Sequence, residues 1–236
     1  MSAERQLSLA LFGKHPGFGD FLAGGELPNA ALQPLLEWFA NTLGAWRDMA
    51  GPDWQAVFDA APALHFWIGA VPGGGAGLRG VAVPSRDRTG RRFPLVIAQS
   101  PAGLAPVTDP DQAFYEQAVQ ALAGLLAEEH FDARETATRL AATLPAAVSP
   151  DPALGSDFWG TNPTRAAADL LAELAATDQA HAQAGRSYWW FAADGAGRPA
   201  GLLAVAGLPG AAEMGWLLVS GQPPATATDT APEDAT

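Results

Sequence analysis

The apolar positions along the chain change period several times, and each change marks an element. Residues 6–12, QLSLALF, alternate and then turn wholly apolar, which predicts a first strand. GKHPGFGD (13–20) holds three glycines and a proline and reads as a loop. From Pro28 the period becomes helical. Leu32, Leu36, Phe39, Leu43 and Trp46 recur at steps of four and three, so they share one face of a helix that stops before Gly51-Pro52. PDWQAVFDA (52–60) predicts a short second helix.

The next segments read as strands. ALHFWIGA (63–70), LRGVAVPS (78–85) and RRFPLVIAQ (91–99) are short apolar runs, and VPGGGAG (71–77) is a turn between the first two. RDRTG joins the last two as a hairpin, with Gly90 free to take the positive φ that closes a bulged turn. Pro84 and Pro94 lack amide donors, which places them at strand ends, edges or bulges.

Helical patterns return in the second half. TDPDQAFYEQAVQALAGLLAEEH carries Asp109 as N-cap, Pro110 at the first helical position and an apolar face of Phe114, Ala118, Leu122 and Leu125. In FDARETATRLAATL, Asp132 and Glu135 have capping-box spacing. Residues 145–163 read as a Pro/Gly-rich loop, and a third helix is expected from Asn162-Pro163 to about Ala184. RSYWWFAA (186–193), PAGLLAVAG (199–207) and MGWLLVS (214–220) predict three closing strands. The order is not a strict βαβ alternation, so it predicts a mixed, mostly antiparallel sheet covered by helices. Residues 1–220 are expected to form a single domain, with 221–236 a disordered tail that has little to bury.

Composition narrows the chemistry. The 236 residues carry a net charge of −12 and no cysteine, so thiolate metal sites and a Cys nucleophile are excluded. The negative field disfavours nucleic acid and anionic membrane surfaces. No apolar run is long enough to span a bilayer and no secretion signal opens the chain, so a cytoplasmic protein without membrane insertion is expected. His15, His65, His130 and His181 are scattered and predict no metal; His65, in an apolar strand, reads as a hydrogen-bonded structural histidine. No GxSxG or Walker motif is present, and no cofactor is expected. Ser85 has no base near it in sequence and reads as a turn residue.

One stretch stands apart. Arg79, Arg86, Arg88, Arg91 and Arg92 supply five of the thirteen Lys and Arg residues of an acidic chain. Three readings fit this hairpin: structural pairing with carboxylates, an anion or nucleotide site, or a protein-binding edge rich in arginine. The residue pattern alone leaves all three open.

PSRDRTGRRFPL (84–95) resembles the PS-x-D-R-x-G-R-x-FPL signature of the type VI secretion-associated TagF (ImpM) proteins. FGKHPGFGDF (12–21) is similar to that family's N-terminal motif, with Leu27-Pro28 at its trailing LP. SYWW (187–190) and GLP (207–209) match two later segments. The motif positions carried over are Gly13, Lys14, Pro16, Gly19, Asp20, Phe21, Pro84, Ser85, Asp87, Arg88, Gly90, Arg91, Phe93 and Pro94. His15, Gly24, Gly25, Arg86 and Thr89 depart from the pattern. The resemblance implies a three-layer α/β/α sandwich and no catalytic activity. It implies a regulatory, usually repressive, accessory protein of the secretion system, whose partner is the Fha-type scaffold protein. Edge strands could in addition support a homo-oligomer.

Opposite charges in two motifs predict a pairing of Asp20 with Arg88 or Arg91, with Phe21 and Phe93 packed beneath. Arg88 and Arg91 are then architectural, and Arg86 and Arg92 are left to face a partner. The alternative is an anion- or nucleotide-handling enzyme built on the hairpin. Phosphate analogues would raise the melting temperature only in that case.

Overall fold

The computed structural model describes residues 8–75, 77–148, 183–194 and 199–219. Seven strands make one sheet: β1 Ser8–Gly13, β2 Leu22–Gly25, β3 Leu64–Ile68, β4 Leu78–Val83, β5 Leu95–Ser100, β6 Arg186–Phe191 and β7 Gly201–Ala206. Their order is β2-β1-β5-β4-β3-β6-β7. Every pairing among them is antiparallel, so the sheet is not mixed as expected. The helices among the described residues are α1 Asn29–Ala50, α2 Trp54–Asp59, α3 Ala113–Ala127, α4 Ala133–Thr143 and α5 Ala211–Leu218. None is long and apolar enough to cross a membrane.

The sheet separates two apolar clusters. Ala10, Phe12, Phe66, Ile68, Val96 and Trp189 pack with residues of α1 and α5. Their neighbours Leu9, Leu11, Val81, Val83, Leu95 and Ile97 pack with residues of α3 and α4. β3 and β5 are buried at every position, which is why they read as continuous apolar runs and not as alternation.

α1 buries Ala31, Leu35, Phe39, Thr42 and Trp46, while Leu32, Leu36 and Leu43 flank that face half-buried. The seam is therefore turned by about one residue from the predicted one. α3 buries all four predicted residues and Tyr115, but it starts at Ala113 and not at Asp109. The cause is local: Asp109 accepts the Asp111 amide at 3.3 Å and Asp111 accepts the Ala113 amide at 3.0 Å. Both aspartates make turns before the helix begins. Asp132 caps α4 through the Glu135 amide at 2.8 Å.

Two elements differ from expectation. Residues 214–220 were expected as a strand, yet they belong largely to helix α5. Met214, Leu217 and Leu218 there bury a face at i, i+3 and i+4; a short apolar run fits either period. β2 falls in a stretch with no strand signal, because LAGG offers only Leu22 and Ala23 before two glycines. Gly24 is required there. A side-chain carbon would lie 2.1 Å from the Ala133 carbonyl oxygen, where the start of α4 rests on the strand. Most of the predicted third helix (162–184) and the whole tail (221–236) lie outside the described residues.

Candidate functional site

The hairpin between β4 and β5 is held at its mouth by prolines and at its tip by an aspartate. Pro84 and Pro94 end the two ladders and line a small apolar gap with Phe39, Phe58 and Met214. Beyond them the strands stay together through the Phe93 amide on the Ser85 carbonyl at 3.1 Å and a single bridge between Arg86 and Arg92. The Asp87 amide donates to Arg91 O at 3.0 Å, and Gly90, at φ 87°, turns the chain.

Asp87 is the hub. Its side chain is fully buried although the tip around it is exposed. Oδ1 accepts from the Thr89 amide (2.9 Å), the Thr89 hydroxyl (2.7 Å) and the Arg91 amide (3.0 Å). Oδ2 accepts from Lys14 Nζ (2.5 Å) and Arg91 Nε (2.6 Å). Burial alone would raise this carboxyl. Hydrogen bonds from Lys14, Thr89 and both the amide and the guanidinium of Arg91 outweigh it and hold the group well below the usual carboxylate range. With five donors on two oxygens, no lone pair is left open to a reactant.

Lys14 comes from the glycine-rich loop after β1, so Asp87 ties that loop to the hairpin. Two more bonds complete the tie. Arg91 Nη2 donates to Gly19 O at 2.6 Å, and the Arg88 amide donates to Phe18 O at 2.8 Å. His15 fastens the loop on its other side. Its buried ring donates from Nε2 to Leu125 O at 2.8 Å, while Nδ1 accepts the Gly17 amide at 3.1 Å, which fixes the tautomer. Phe18 and Phe131 meet that ring edge-on, at 5.3 and 5.1 Å.

The two motif loops thus meet, but not through Asp20. Asp20 is exposed and makes no ion pair among the described residues. Asp87 is nearer in sequence to Arg91, and its carboxylate also takes Lys14, so it occupies the role assigned to Asp20. Phe21 does reach Phe93, with ring centroids 5.3 Å apart. Pro16 is exposed on the loop.

The division of the arginines also differs from expectation. Arg92 was expected to face a partner. It is instead bidentate to Asp59 at the end of α2, at 2.8 and 2.7 Å, with its guanidinium 5.8 Å from the Trp54 ring centroid. The hydrogen bond from Arg92 lowers the Asp59 carboxyl, and the same bond raises Arg92. Arg88 was expected to be architectural, yet only its backbone is engaged. Arg86 and Arg88 are exposed and unpaired among the described residues. Asp59, Thr89 and His15 were not foreseen. Asp59 lies 33 residues from Arg92, and no spacing in the sequence links them.

Among the described residues two buried side-chain polar atoms lack hydrogen-bond partners: Ser85 Oγ and His65 Nδ1. His65, expected to be hydrogen-bonded, stacks on Tyr115 at 5.5 Å and meets Trp190 edge-on at 5.5 Å. Burial among these rings pushes its pKa down to about 4. Among the described residues no group of three or more His, Asp or Glu side chains is placed to hold a metal ion.

A family model described as the TagF N-terminal domain, type VI secretion system-associated, matches residues 10–143, more than half of the chain. The chain is also similar to the crystal structure of PA0076 from Pseudomonas aeruginosa PAO1. The TM-score is 0.70 and the identity 32%, over 93% of this chain and 97% of that one. No curated protein matches.

Proposed function

The chain belongs to the TagF family associated with type VI secretion, and we propose that it is a non-enzymatic regulator of that system. In this reading it acts in the cytoplasm, binds an Fha-type scaffold protein and represses assembly or activity of the machine. The observation that carries a binding role over a catalytic one is the state of the motif carboxylate. Asp87 is buried and saturated by Lys14, Thr89 and Arg91. A general base or a ligand-binding carboxylate needs a free lone pair facing the reactant. Ser85 Oγ is buried with no hydrogen-bond partner among the described residues, so none of them is placed as a base to activate it. The motifs therefore act as a brace that fixes the shape of an exposed tip, which is what a recognition surface requires. A three-layer helix–sheet–helix arrangement belongs to the same reading. It is supported by the two apolar clusters, one with α1 and α5 and the other with α3 and α4.

The test is made in the native host. Raising the protein's level is expected to reduce type VI-dependent release of substrates into the medium, and deleting it to increase release. If release stays constant over both changes while the protein accumulates normally, the regulatory reading fails.

A further inference from the structure

The brace leaves one surface feature unused. Phe21 is 43% exposed, and it is the one exposed aromatic side chain among the described residues. Its ring is nevertheless fixed. It lies 5.3 Å from Phe93, edge-on, and 6.5 Å from Phe12, and Phe93 in turn meets the buried Phe39 at 6.0 Å. Phe21 is the outer ring of a series that runs into the core, so binding through it orders little that is not already ordered.

Two exposed arginines share the hairpin tip, and one of them lies beside that ring. The Arg88 guanidinium comes within 3.7 Å of the place where a side chain on Gly19 would begin, two residues before Phe21. Arg86 bridges Arg92 across the hairpin and lies near enough to Asp59 to help hold its carboxyl down. Both arginines are exposed and have no ion pair among the described residues. In a chain of net charge −12 this local excess of positive charge is the exception.

We propose that Phe21 and Arg88, with Arg86 farther round the same hairpin tip, form a docking surface for an acidic segment of a protein partner, one that also brings an apolar side chain to cover Phe21. The proposal rests on the reading above that the protein works by binding a partner, and it names the chemistry of that contact. A rigid aromatic ring with an exposed arginine beside it is the composition of an interface hot spot. Asp20, exposed between Gly19 and Phe21, makes the patch non-uniform. The partner's carboxylates must meet the arginines and avoid Asp20, which fits a protein segment of defined sequence. A nucleic acid or an anionic membrane would feel Asp20 and the net charge as repulsion.

Site-specific photocrosslinking in the native host tests this. The photoreactive residue p-benzoylphenylalanine replaces Phe21 in one strain and Met49, exposed on α1, in a control strain. Irradiation is expected to give an adduct from position 21 and not from 49, with one protein whose crosslinked peptide is net acidic. In the background of Arg86→Glu with Arg88→Glu the yield falls by about tenfold or more, as for loss of a hot-spot contact, while the melting temperature is unchanged. If the captured protein is the Fha-type scaffold, both readings stand. If it is another protein, the surface stands and the scaffold assignment falls. If position 21 gives no adduct while the scaffold still co-purifies, the surface is wrong and the regulatory reading survives. If there is neither adduct nor scaffold, both are wrong. An adduct that survives the charge reversal overturns the acidic partner.

Discussion

Two glycines of the family motifs separate backbone geometry from packing. Gly13 and Gly90 both have positive φ, 129° and 87°. Alanine at either site must enter a region that L-residues avoid, at about 1–2 kcal/mol. The surroundings differ. Nothing lies within 4 Å of a carbon added at Gly90. At Gly13 the same carbon would sit 2.0 Å from Pro94 O and 2.9 Å from Leu95 Cα, more than an ångström inside ordinary contact with the first. Both atoms are backbone, at the end of the β1–β5 ladder, where Gly13 opposes Leu95. Relief means parting the glycine-rich loop from the hairpin mouth, and overpacking of that kind adds roughly 1–3 kcal/mol. Gly90→Ala should therefore cost about 1–2 kcal/mol and Gly13→Ala about 2–5 kcal/mol. Urea unfolding followed by tryptophan fluorescence reads both, since the chain has eight tryptophans. Equal losses for the two variants would refute the claim that the first loop is clamped on the hairpin.

Other outcomes follow from the same geometry. His65 is neutral in the fold with a pKa of about 4 against an unfolded value near 6.5, so the unfolded chain binds its proton first. Stability should fall by roughly 3 kcal/mol as pH drops through that window, and His65→Phe should flatten the slope in a pH series of urea melts; an unchanged slope contradicts the burial argument. The Asp87 carboxyl is depressed, so its contribution is complete above the usual carboxylate range near pH 4 and is lost as pH falls further. Asp87→Asn should remove part of the acid sensitivity below pH 4 and leave the pH 4–7 limb intact. Arg92→Gln breaks a pair whose aspartate is 39% exposed, so thermal unfolding should show a loss of only about 1 kcal/mol; a loss several times larger would mean that α2 depends on that pair.

The sequence discloses most of the fold because apolar period is a local property. β1, α1, α3, the α4 cap and the strands β3 to β5 follow from it. β2 does not, because Gly24 is there for the approach of α4, a contact far away in sequence, and Gly25 for a positive φ against the Leu9 carbonyl of β1. α5 was misread because MGWLLVS is apolar at nearly every position and carries no period. The arginine hairpin was visible as a cluster, and the meeting of the two motifs was foreseen. The partners were not. Lys14 and Asp87 are 73 residues apart, and charge alone does not distinguish Asp87 from Asp20. Burial decides between them: the tip folds over Asp87 and leaves Asp20 in solvent.

The role proposed for the braced tip is recognition and not catalysis. Its most direct test is a calorimetric titration of the full chain with the purified Fha-type scaffold of the same system, at low and moderate salt. Saturable binding is expected that weakens with salt, weakens again in the Arg86→Glu, Arg88→Glu variant, and is unaffected by Arg47→Glu on α1. Absence of binding by a correctly folded wild-type chain at either salt would contradict that role.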